Sequence, residues 1–335
     1  MKRLSKRSGV DSFSRIYVEN KALEYPRTKE ILKKFKHPNI IEIDHYKNVF
    51  NRPRQNFVRQ KAFQNLILAV KDDSFLYEGP DICESFGNDN FYYASAALNC
   101  IYDCHYCYLQ GMYQSANIVI FVNLEDFFVE VDERLNKLDS MYLSISYDTD
   151  LLALEGLLGY SKDWINFTKD RENLTIELRT KSANYVLISD IRPYDNVILA
   201  FTLSPEEIIE KYEIYTAPLN KRIDAICRAL DDGWQVRLSL EPIIGVEGWE
   251  KIYRRFIQEI SKAIPMDRIY DINIGVFRMS SDYYKRIGKR RLDTDVFALP
   301  IAIENGVACF KEEEYMKQAV AKELFKHYPG EKIYL

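Results

Sequence analysis

Three of the six cysteines lie in one short segment, and they are the most informative residues of the chain. Cys100, Cys104 and Cys107 follow the spacing Cys-x3-Cys-x2-Cys. Thiolates are soft ligands, and thiolates this close in the chain can surround one metal centre. The spacing therefore predicts a metal site, either an iron–sulfur cluster or a zinc ion.

The two kinds of metal centre differ in the number of protein ligands they need. A structural zinc ion takes four ligands, so a fourth would have to join the three cysteines. The candidates for that ligand are His105, Cys83, Cys227 and Cys309. A cubane iron–sulfur cluster held by three thiolates instead leaves one iron open for a substrate or cosubstrate. Three buried cysteines that bind no metal are the remaining alternative.

Length and composition are those of a globular protein. The 335 residues are 47% hydrophobic and 29% charged, which suits one large domain with an extension and a substantial core. The net charge of −4 excludes a bulk polycation, so nucleic-acid contacts would have to come from local basic clusters. Three such clusters occur: Lys2-Arg3 with Lys6-Arg7, Arg52 and Arg54 with Arg59 and Lys61, and Lys285-Arg286 with Lys289-Arg290-Arg291.

The sequence gives no sign of a membrane or secretory protein. No run of 18 apolar residues occurs, and the basic start is not followed by an apolar stretch. Six cysteines in this length do not form a disulfide scaffold. We therefore expect a cytoplasmic protein without a membrane partner.

Strand and helix patterns alternate from about residue 91 onward. The strand candidates are Phe91–Leu98, Asn117–Val122, Met141–Ser146, Leu174–Arg179, Asn196–Leu203, Gln235–Leu240 and Tyr270–Val276. The helix candidates between them are Leu124–Leu138, Leu151–Leu158, Pro205–Lys211, Leu219–Leu230 and Trp249–Ala263. This alternation predicts a parallel sheet, either open or closed into a barrel. No glycine-rich dinucleotide or phosphate loop follows a strand, which argues against nucleotide-dependent dehydrogenases and hydrolases.

The cysteine spacing, with Tyr106 before the third cysteine, resembles the signature of the radical S-adenosylmethionine superfamily. The resemblance implies a [4Fe-4S] cluster held by Cys100, Cys104 and Cys107, whose open iron binds S-adenosyl-L-methionine. Reductive cleavage of that cosubstrate gives a 5′-deoxyadenosyl radical. It also implies an α/β fold: a partial (β/α)6 barrel at residues 91–280, after an N-terminal α/β extension at 1–90 and before a C-terminal hairpin and helix at 281–335.

Further segments resemble the spore photoproduct lyase family over roughly residues 17–275. They are His45–Arg52, Gln55–Phe57, Leu66–Ala69, Cys104–Gln110, Val122–Asp126, Thr180-Lys181 and Glu247–Glu250. The resemblance implies a carbon–carbon lyase that splits the methylene-bridged thymine dimer of damaged DNA. Damaged DNA and a low-potential reductant, flavodoxin or ferredoxin, are then the expected partners.

The same resemblance suggests roles for four residues. Lys181 would pair with the carboxylate of S-adenosylmethionine, and Thr202 stands where the family has a serine that contacts the cosubstrate. Tyr106 and Tyr108 occupy the positions of tyrosines that relay a hydrogen atom. The alternatives are a solvated lysine at a strand end and ordinary buried tyrosine packing.

Three departures mark this chain as a diverged member. The family's hydrogen-donating cysteine should lie near Tyr147, where no cysteine occurs, so Tyr147 itself becomes a candidate donor. The hairpin segment Phe297–Gly306 has no Lys or Arg, although a DNA-facing hairpin should carry cations. Glu241 replaces a small neutral residue, and its carboxylate could bind the ribose hydroxyls or cap the strand end.

Two further functions remain open from the sequence. One is a radical enzyme on the same scaffold that acts on a peptide, a nucleotide or a metabolite. The other is a non-catalytic iron–sulfur module that binds DNA. Cleavage of the cosubstrate to 5′-deoxyadenosine separates both radical enzymes from the binding module.

Overall fold

A computed structural model describes residues 13–328 and 332–335. The chain folds as two compact units: residues 13–101 with Met112–Leu178, and Tyr102–Gly111 with the chain from Arg179 onward. The Lys2–Arg7 basic cluster lies outside the described residues. No described helix combines the length and the apolar composition that a membrane crossing requires.

The described residues contain eighteen strands and twelve α-helices, joined by loops and short 3-10 helices. The strands are β1 (Ile16–Glu19), β2 (Ile40–Ile43), β3 (Leu66–Ala69), β4 (Leu76–Glu78), β5 (Phe91–Ala94), β6 (Ala97–Leu98), β7 (Asp103–Cys104), β8 (Ile118–Phe121), β9 (Met141–Ser144), β10 (Leu174–Thr180), β11 (Val197–Thr202), β12 (Glu213–Ile214), β13 (Gln235–Ile243), β14 (Asp271–Val276), β15 (Arg278–Ser280), β16 (Ile301–Glu304), β17 (Val307–Phe310) and β18 (Ile333–Tyr334). The helices are α1 (Pro26–Lys33), α2 (Lys47–Phe50), α3 (Phe57–Ala62), α4 (Leu109–Met112), α5 (Leu124–Leu135), α6 (Leu151–Leu158), α7 (Tyr160–Thr168), α8 (Glu206–Tyr212), α9 (Leu219–Asp231), α10 (Trp249–Ala263), α11 (Ser281–Arg290) and α12 (Glu313–Leu324).

The first unit contains two groups of paired strands. In one, β2, β1, β3 and β8 run parallel in that order, and β6 closes the edge antiparallel to β8. In the other, β5, β9 and β10 run parallel, with β4 antiparallel at the edge. Strands β3, β8 and β9 are buried at every position, as parallel strands covered on both faces must be.

The second unit has a parallel sheet in the order β11, β13, β14 and β18. Two small antiparallel pairings accompany it. Strand β7 pairs with β12, and β15, β17 and β16 form a three-stranded hairpin sheet. Asn305 and Gly306 turn that hairpin with φ of 49° and 81°, as a tight two-residue turn requires.

The sequence predicted most elements to within a few residues but misplaced one strand and merged two others: Phe91–Leu98 is two strands, β5 and β6, in different sheets. Helices Leu151–Leu158 and Trp249–Ala263 have the predicted bounds, and the Asn305-Gly306 hairpin is confirmed. The segment Asn117–Val122 was expected in the strand–helix series. Its strand, β8, instead pairs with β3 of the N-terminal extension. Apolar composition predicts that a strand is buried, but it does not select the neighbouring strand.

One buried ion pair joins the two central strands of the second unit. The Arg237 guanidinium binds the Asp271 carboxylate through both of its oxygens, at 2.5 and 2.6 Å. Both side chains are 1% exposed. The paired geometry compensates the burial of the two charges, whereas either charge alone would be costly.

Replacing Asp271 by Asn should therefore destabilise the protein by about 3 kcal/mol, because it leaves the Arg237 charge buried without its partner. Urea unfolding measures the free-energy change. Asp224→Asn is the matched control, since its pair with Lys221 at 3.3 Å is solvent-exposed, and we expect a change within about 0.5 kcal/mol there. Equal effects of the two substitutions would contradict this explanation.

Candidate functional site

The three clustered cysteines are all thiols in this structure, not halves of disulfides. Cys100 is partly exposed, and its carbonyl accepts hydrogen bonds from Lys61 Nζ at 2.7 Å and Gln64 Nε2 at 3.1 Å. Lys61 is itself buried, so this member of the second basic cluster does not face a phosphate track. The peptide before the cysteine loop is thus held by two side chains of the N-terminal extension.

We use the term cysteine loop for Tyr102–Gly111, which carries Cys104 and Cys107. Cys104 is buried in β7, which pairs with β12, while Cys107 is partly exposed. The Cys107 amide donates to the Cys104 carbonyl at 3.1 Å, which forms a tight turn between the two thiols. The loop is therefore held by strand pairing at Cys104 and turns between Cys104 and Cys107.

The donor chemistry of the three cysteines fits an iron–sulfur cluster. Thiolates are the usual ligands of such clusters, and three of them within one short segment leave one iron open. Among residues 13–328 and 332–335, no three His, Cys, Asp or Glu side chains are already gathered into a metal-binding group. The three cysteines therefore suit an iron–sulfur cluster by the identity and spacing of their thiols.

A buried carboxylate, Glu213, anchors the cysteine loop to other segments of the second unit. Tyr106 donates its hydroxyl to one Glu213 oxygen, and Arg222 donates to the other at 2.6 Å. Arg222 also donates to the Thr202 carbonyl at 2.9 Å. All of these side chains are buried, so the network links the loop tyrosine to the end of β11 away from water.

Opposing effects set the ionisation of Glu213. Burial alone would raise the pKa of its carboxyl, but the charges of Arg222 and Lys181 and the hydrogen bonds from Tyr106 and Arg222 lower the pKa to about 2. Glu213 is therefore a carboxylate at neutral pH. Burial, together with the Glu213 charge, raises the pKa of the Tyr106 phenol, which stays protonated and donates.

The structure brings together three of the residues assigned by resemblance. Lys181 Nζ lies 5.9 Å from the centre of the Tyr106 ring, and Thr202 is buried at the end of β11, where it meets Arg222. Lys181 is only partly exposed, so it is not the freely solvated lysine of the alternative reading. Tyr108 is also partly exposed, and its carbonyl accepts from the Gly111 amide at 2.8 Å.

Glu241 is held by neighbours on adjacent strands. Its Oε2 accepts from Arg179 Nη1 at 3.0 Å and from Asn273 Nδ2 at 2.8 Å. A Cβ at Gly275 would lie 2.7 Å from Glu241 Oε1, so the absence of a side chain at that residue makes room for the carboxylate. The structure thus places Glu241 in a polar cluster on the sheet, with its charge balanced by Arg179.

Tyr147 lies in the first unit beside a cysteine that comes from a different segment. Its hydroxyl is 3.5 Å from the Cys83 Sγ. The Tyr147 ring stacks on Tyr93 with centroids 4.1 Å apart, and Tyr93 stacks on Tyr77 at 5.2 Å. Burial raises the pKa of the Tyr147 phenol, and the Cys83 thiol adds to that effect. A protonated phenol and a thiol therefore stand in contact in this unit.

A buried carboxylate follows Tyr147 in the chain. Ser95 donates its hydroxyl to Asp148, and the Asp148 carboxyl also has a hydrogen bond from Tyr113. Burial raises the pKa of Asp148 to about 6, although these hydrogen bonds and the charge of Lys71 act in the opposite direction. Asp148 is thereby tied to the side chains of Ser95 and Tyr113.

Sequence reasoning missed the partners of the predicted residues. Glu213 and Arg222 were not singled out, because a charged residue next to apolar ones is usually exposed and only tertiary packing buries this pair. Cys83 was considered solely as a fourth zinc ligand. No sequence signal places its thiol against Tyr147, since the two are 64 positions apart.

The hairpin and the basic cluster before it differ from the expectation for a DNA-facing surface. The hairpin strands carry Glu304 and the exposed Ile303 but no Lys or Arg. In the basic cluster, Lys285 and Lys289 are exposed, whereas Arg291 is buried. The cluster is therefore not a single solvated face.

Comparison with known proteins identifies the family of the chain. The family model described as spore photoproduct lyase matches residues 12–296. Spore photoproduct lyase of Bacillus subtilis (strain 168) is 23% identical over 95% of this chain and 96% of its own length. The Clostridium acetobutylicum enzyme is 24% identical over 74% of each chain.

Solved structures match along nearly the whole chain. A cysteine-to-serine variant of spore photoproduct lyase has a TM-score of 0.82 at 20% identity, covering 96% of this chain and 98% of its own. Spore photoproduct lyase complexed with the dinucleoside spore photoproduct has a TM-score of 0.81 at 21% identity, with the same coverage. The predicted fold class, an α/β partial barrel, is confirmed by this likeness.

The fold and the cysteine segment define a radical S-adenosylmethionine enzyme. More particularly, the chain belongs to the spore photoproduct lyase family. Family membership sets aside the structural zinc protein and the non-catalytic iron–sulfur module. The roles of the individual site residues and the three-segment division of the chain stay predictions.

The Glu213 network gives a pH-dependent prediction. The pKa of Glu213 in the folded protein, about 2, lies below its ordinary value of 4.5. The ionised carboxylate therefore stabilises the fold at neutral pH, and this contribution is lost as the pH falls from 4.5 towards 2. Glu213→Gln should cost about 3 kcal/mol at pH 7, because it leaves Arg222 unpaired. Urea unfolding measures the difference in free energy of unfolding between the native protein and the variant. We expect that difference to be smaller by about 1 kcal/mol at pH 3.5 than at pH 7. A difference that is constant with pH would refute the assignment.

Proposed function

We propose that this protein repairs the spore photoproduct, the methylene-bridged thymine dimer of damaged DNA, by radical cleavage of the bridging carbon–carbon bond. The observation that carries the proposal is the family match over residues 12–296. The likeness to a lyase complexed with the dinucleoside lesion supports the same substrate class. A lesion within a duplex would have to be turned out of the base stack to be reached.

Cys100, Cys104 and Cys107 are the proposed ligands of a [4Fe-4S] cluster, and a low-potential flavodoxin or ferredoxin is the proposed reductant. When bound, the cluster and S-adenosyl-L-methionine supply the radical that removes a hydrogen atom from the lesion. The chain's own part is to hold the reactants close and to exclude water. A related lyase structure with bound cosubstrate supports the cofactor assignment.

Lys181, Thr202 and Glu241 are the proposed contacts to the cosubstrate. The ammonium of Lys181 suits the carboxylate of S-adenosylmethionine, and the Thr202 hydroxyl can donate to it. Glu241 still has Oε1 available beside Gly275, since Arg179 and Asn273 bind Oε2. A carboxylate oxygen in that position suits the ribose hydroxyls as an acceptor.

The Cys83–Tyr147 pair is the proposed source of the hydrogen atom returned to the product. Tyr147 lies near the position expected for the family's donor, and the Cys83 thiol is 3.5 Å from its hydroxyl. Thiols donate hydrogen atoms readily to carbon radicals, so Cys83 is the proposed ultimate donor and Tyr147 the group that can pass the atom on. Tyr106, with its hydroxyl donated to Glu213, is the less available of the relay tyrosines.

The transfer balances as follows. The C–H bond of the repaired thymine forms as the S–H bond of Cys83 breaks, which leaves a thiyl radical on the protein. One electron from the reductant and one proton from water then restore the thiol. The stacked Tyr93 ring lies against Tyr147 and holds its phenol beside the Cys83 thiol.

A second candidate function has one observation in its favour. The hairpin strands, Ile301–Glu304 and Val307–Phe310, lack the cations that would bind DNA phosphates. A radical enzyme with a peptide, nucleotide or metabolite substrate is therefore the alternative on the same scaffold.

An anaerobic assay separates the two functions. The reconstituted protein is given dithionite, S-adenosylmethionine and the spore-photoproduct dinucleotide, and we expect the repaired thymine dinucleotide together with 5′-deoxyadenosine. If 5′-deoxyadenosine forms but the lesion stays intact, the enzyme acts on another substrate. Replacing Cys104 by Ala should abolish both products, because a cluster ligand is lost.

The proposed donor predicts that deuterium from the solvent is incorporated into the product. In D2O the exchangeable Cys83 thiol should deliver deuterium to the repaired thymine. Cys83→Ala should lower repair by at least about tenfold, because no thiol remains to resupply Tyr147 with a hydrogen atom. Tyr147→Phe should lower repair while leaving some label, since the thiol remains.

Cys227→Ala and Cys309→Ala are the matched controls for loss of a thiol. Both cysteines lie outside the proposed site, so repair and deuterium content should match the native protein. Full repair with an unchanged label in Cys83→Ala would eliminate Cys83 as the donor.

A further inference from the structure

Three arginines in the second half of helix α11 and just after it donate hydrogen bonds to the cysteine loop, although Arg286 is also exposed to solvent. Arg286 Nη1 donates to the Gly111 carbonyl, and Arg290 Nη1 donates to the Gln110 carbonyl. Arg291 Nε donates to the Gln110 side-chain oxygen at 2.7 Å. We call Arg286, Arg290 and Arg291 the arginine clasp.

Arg291 is the buried member of the clasp. Its side chain is 1% exposed, and its guanidinium pairs with Asp103 at the start of the loop and with Asp293 at 3.2 Å. A guanidinium is costly to bury unless its donors are satisfied. Arg291 meets that condition with acceptors from both ends of the cysteine loop, Asp103 and Gln110.

Gln110 carries the effect of the clasp to the cysteines. Its amide nitrogen donates to the Cys104 carbonyl at 2.8 Å and to the His105 carbonyl at 3.1 Å. The side chain of Gln110 is buried, so these bonds form without competition from water. A continuous chain of hydrogen bonds therefore runs from Arg291 through Gln110 to the backbone of Cys104.

Close packing between helix α11 and the loop reinforces these bonds. A Cβ at Gly111 would lie 2.4 Å from the Tyr283 Cβ and 2.8 Å from its Cα. The second contact is to backbone, which cannot swing aside as a flexible side chain can. Helix and loop thus fit only because residue 111 is glycine.

We propose that the arginine clasp positions the cysteine loop for cluster binding. The lysines of the same helix, Lys285 and Lys289, face solvent and have no part in this role. The proposal rests on the cluster assignment made above. Outer groups that orient ligands are a regular part of metal sites, and their loss weakens metal retention. These three residues act through the loop, so they are positioning residues.

The test compares two double variants that remove equal charge from one helix. Arg286→Gln with Arg290→Gln removes two clasp contacts, and Lys285→Gln with Lys289→Gln removes the two exposed lysines. In protein without iron, hydrogen exchange of the amides at 103–111 should be at least about tenfold faster in the arginine variant than in the native protein. The lysine variant should exchange at the native rate.

Iron retention provides the second readout. After reconstitution, the arginine variant should lose iron to a chelator at least about tenfold faster than the lysine variant, with the melting temperatures of the two alike. Arg291→Lys, which keeps the charge but loses the forked geometry, should resemble the arginine double variant. Gly111→Ala gives an independent displacement of the loop, should Arg291→Lys fail to fold.

The outcomes distinguish failure of the clasp proposal from failure of the proposed function. Native exchange in the arginine variant, or iron release equal to that of the lysine variant, would overturn the clasp proposal. If even the native protein forms no cluster, the proposed function fails, whereas the exchange result still decides whether the arginines hold the loop.

Discussion

The buried Glu213 carboxylate is the interaction on which the proposed site depends. It binds the hydroxyl of Tyr106 on one side and the Arg222 guanidinium on the other, and so ties the cysteine loop to the strand that ends at Thr202. Neither charge is stable in the interior alone, so the three side chains constrain one another. Lys181 lies beside the same network, and its positive charge adds to the field that keeps Glu213 ionised.

The loop is thereby restrained from two directions within one unit. On one edge, β7 pairs with β12 next to Glu213. On the other, Arg291 and Gln110 hold the backbone of Cys104 and His105. A loop that must offer thiols in one geometry benefits from such rigidity, because the cost of ordering it is met in folding and not in binding.

The sequence predicted the architecture well where local patterns are decisive. Cysteine spacing indicated the enzyme class, and helical periodicity located Leu151–Leu158 and Trp249–Ala263. Pairings between distant segments were not predictable. The neighbours of β8, the burial of Arg222 and Arg291, and the approach of Cys83 to Tyr147 all arise from tertiary packing, which no local pattern records.

The most direct test of the central claim is electron paramagnetic resonance of the anaerobically reduced, reconstituted protein, with and without S-adenosylmethionine. We predict an iron–sulfur signal that changes when the cosubstrate is added, because the open iron gains a ligand. A colourless protein with no such signal, or a signal indifferent to S-adenosylmethionine, would contradict the assignment of Cys100, Cys104 and Cys107 as a three-thiolate cluster site.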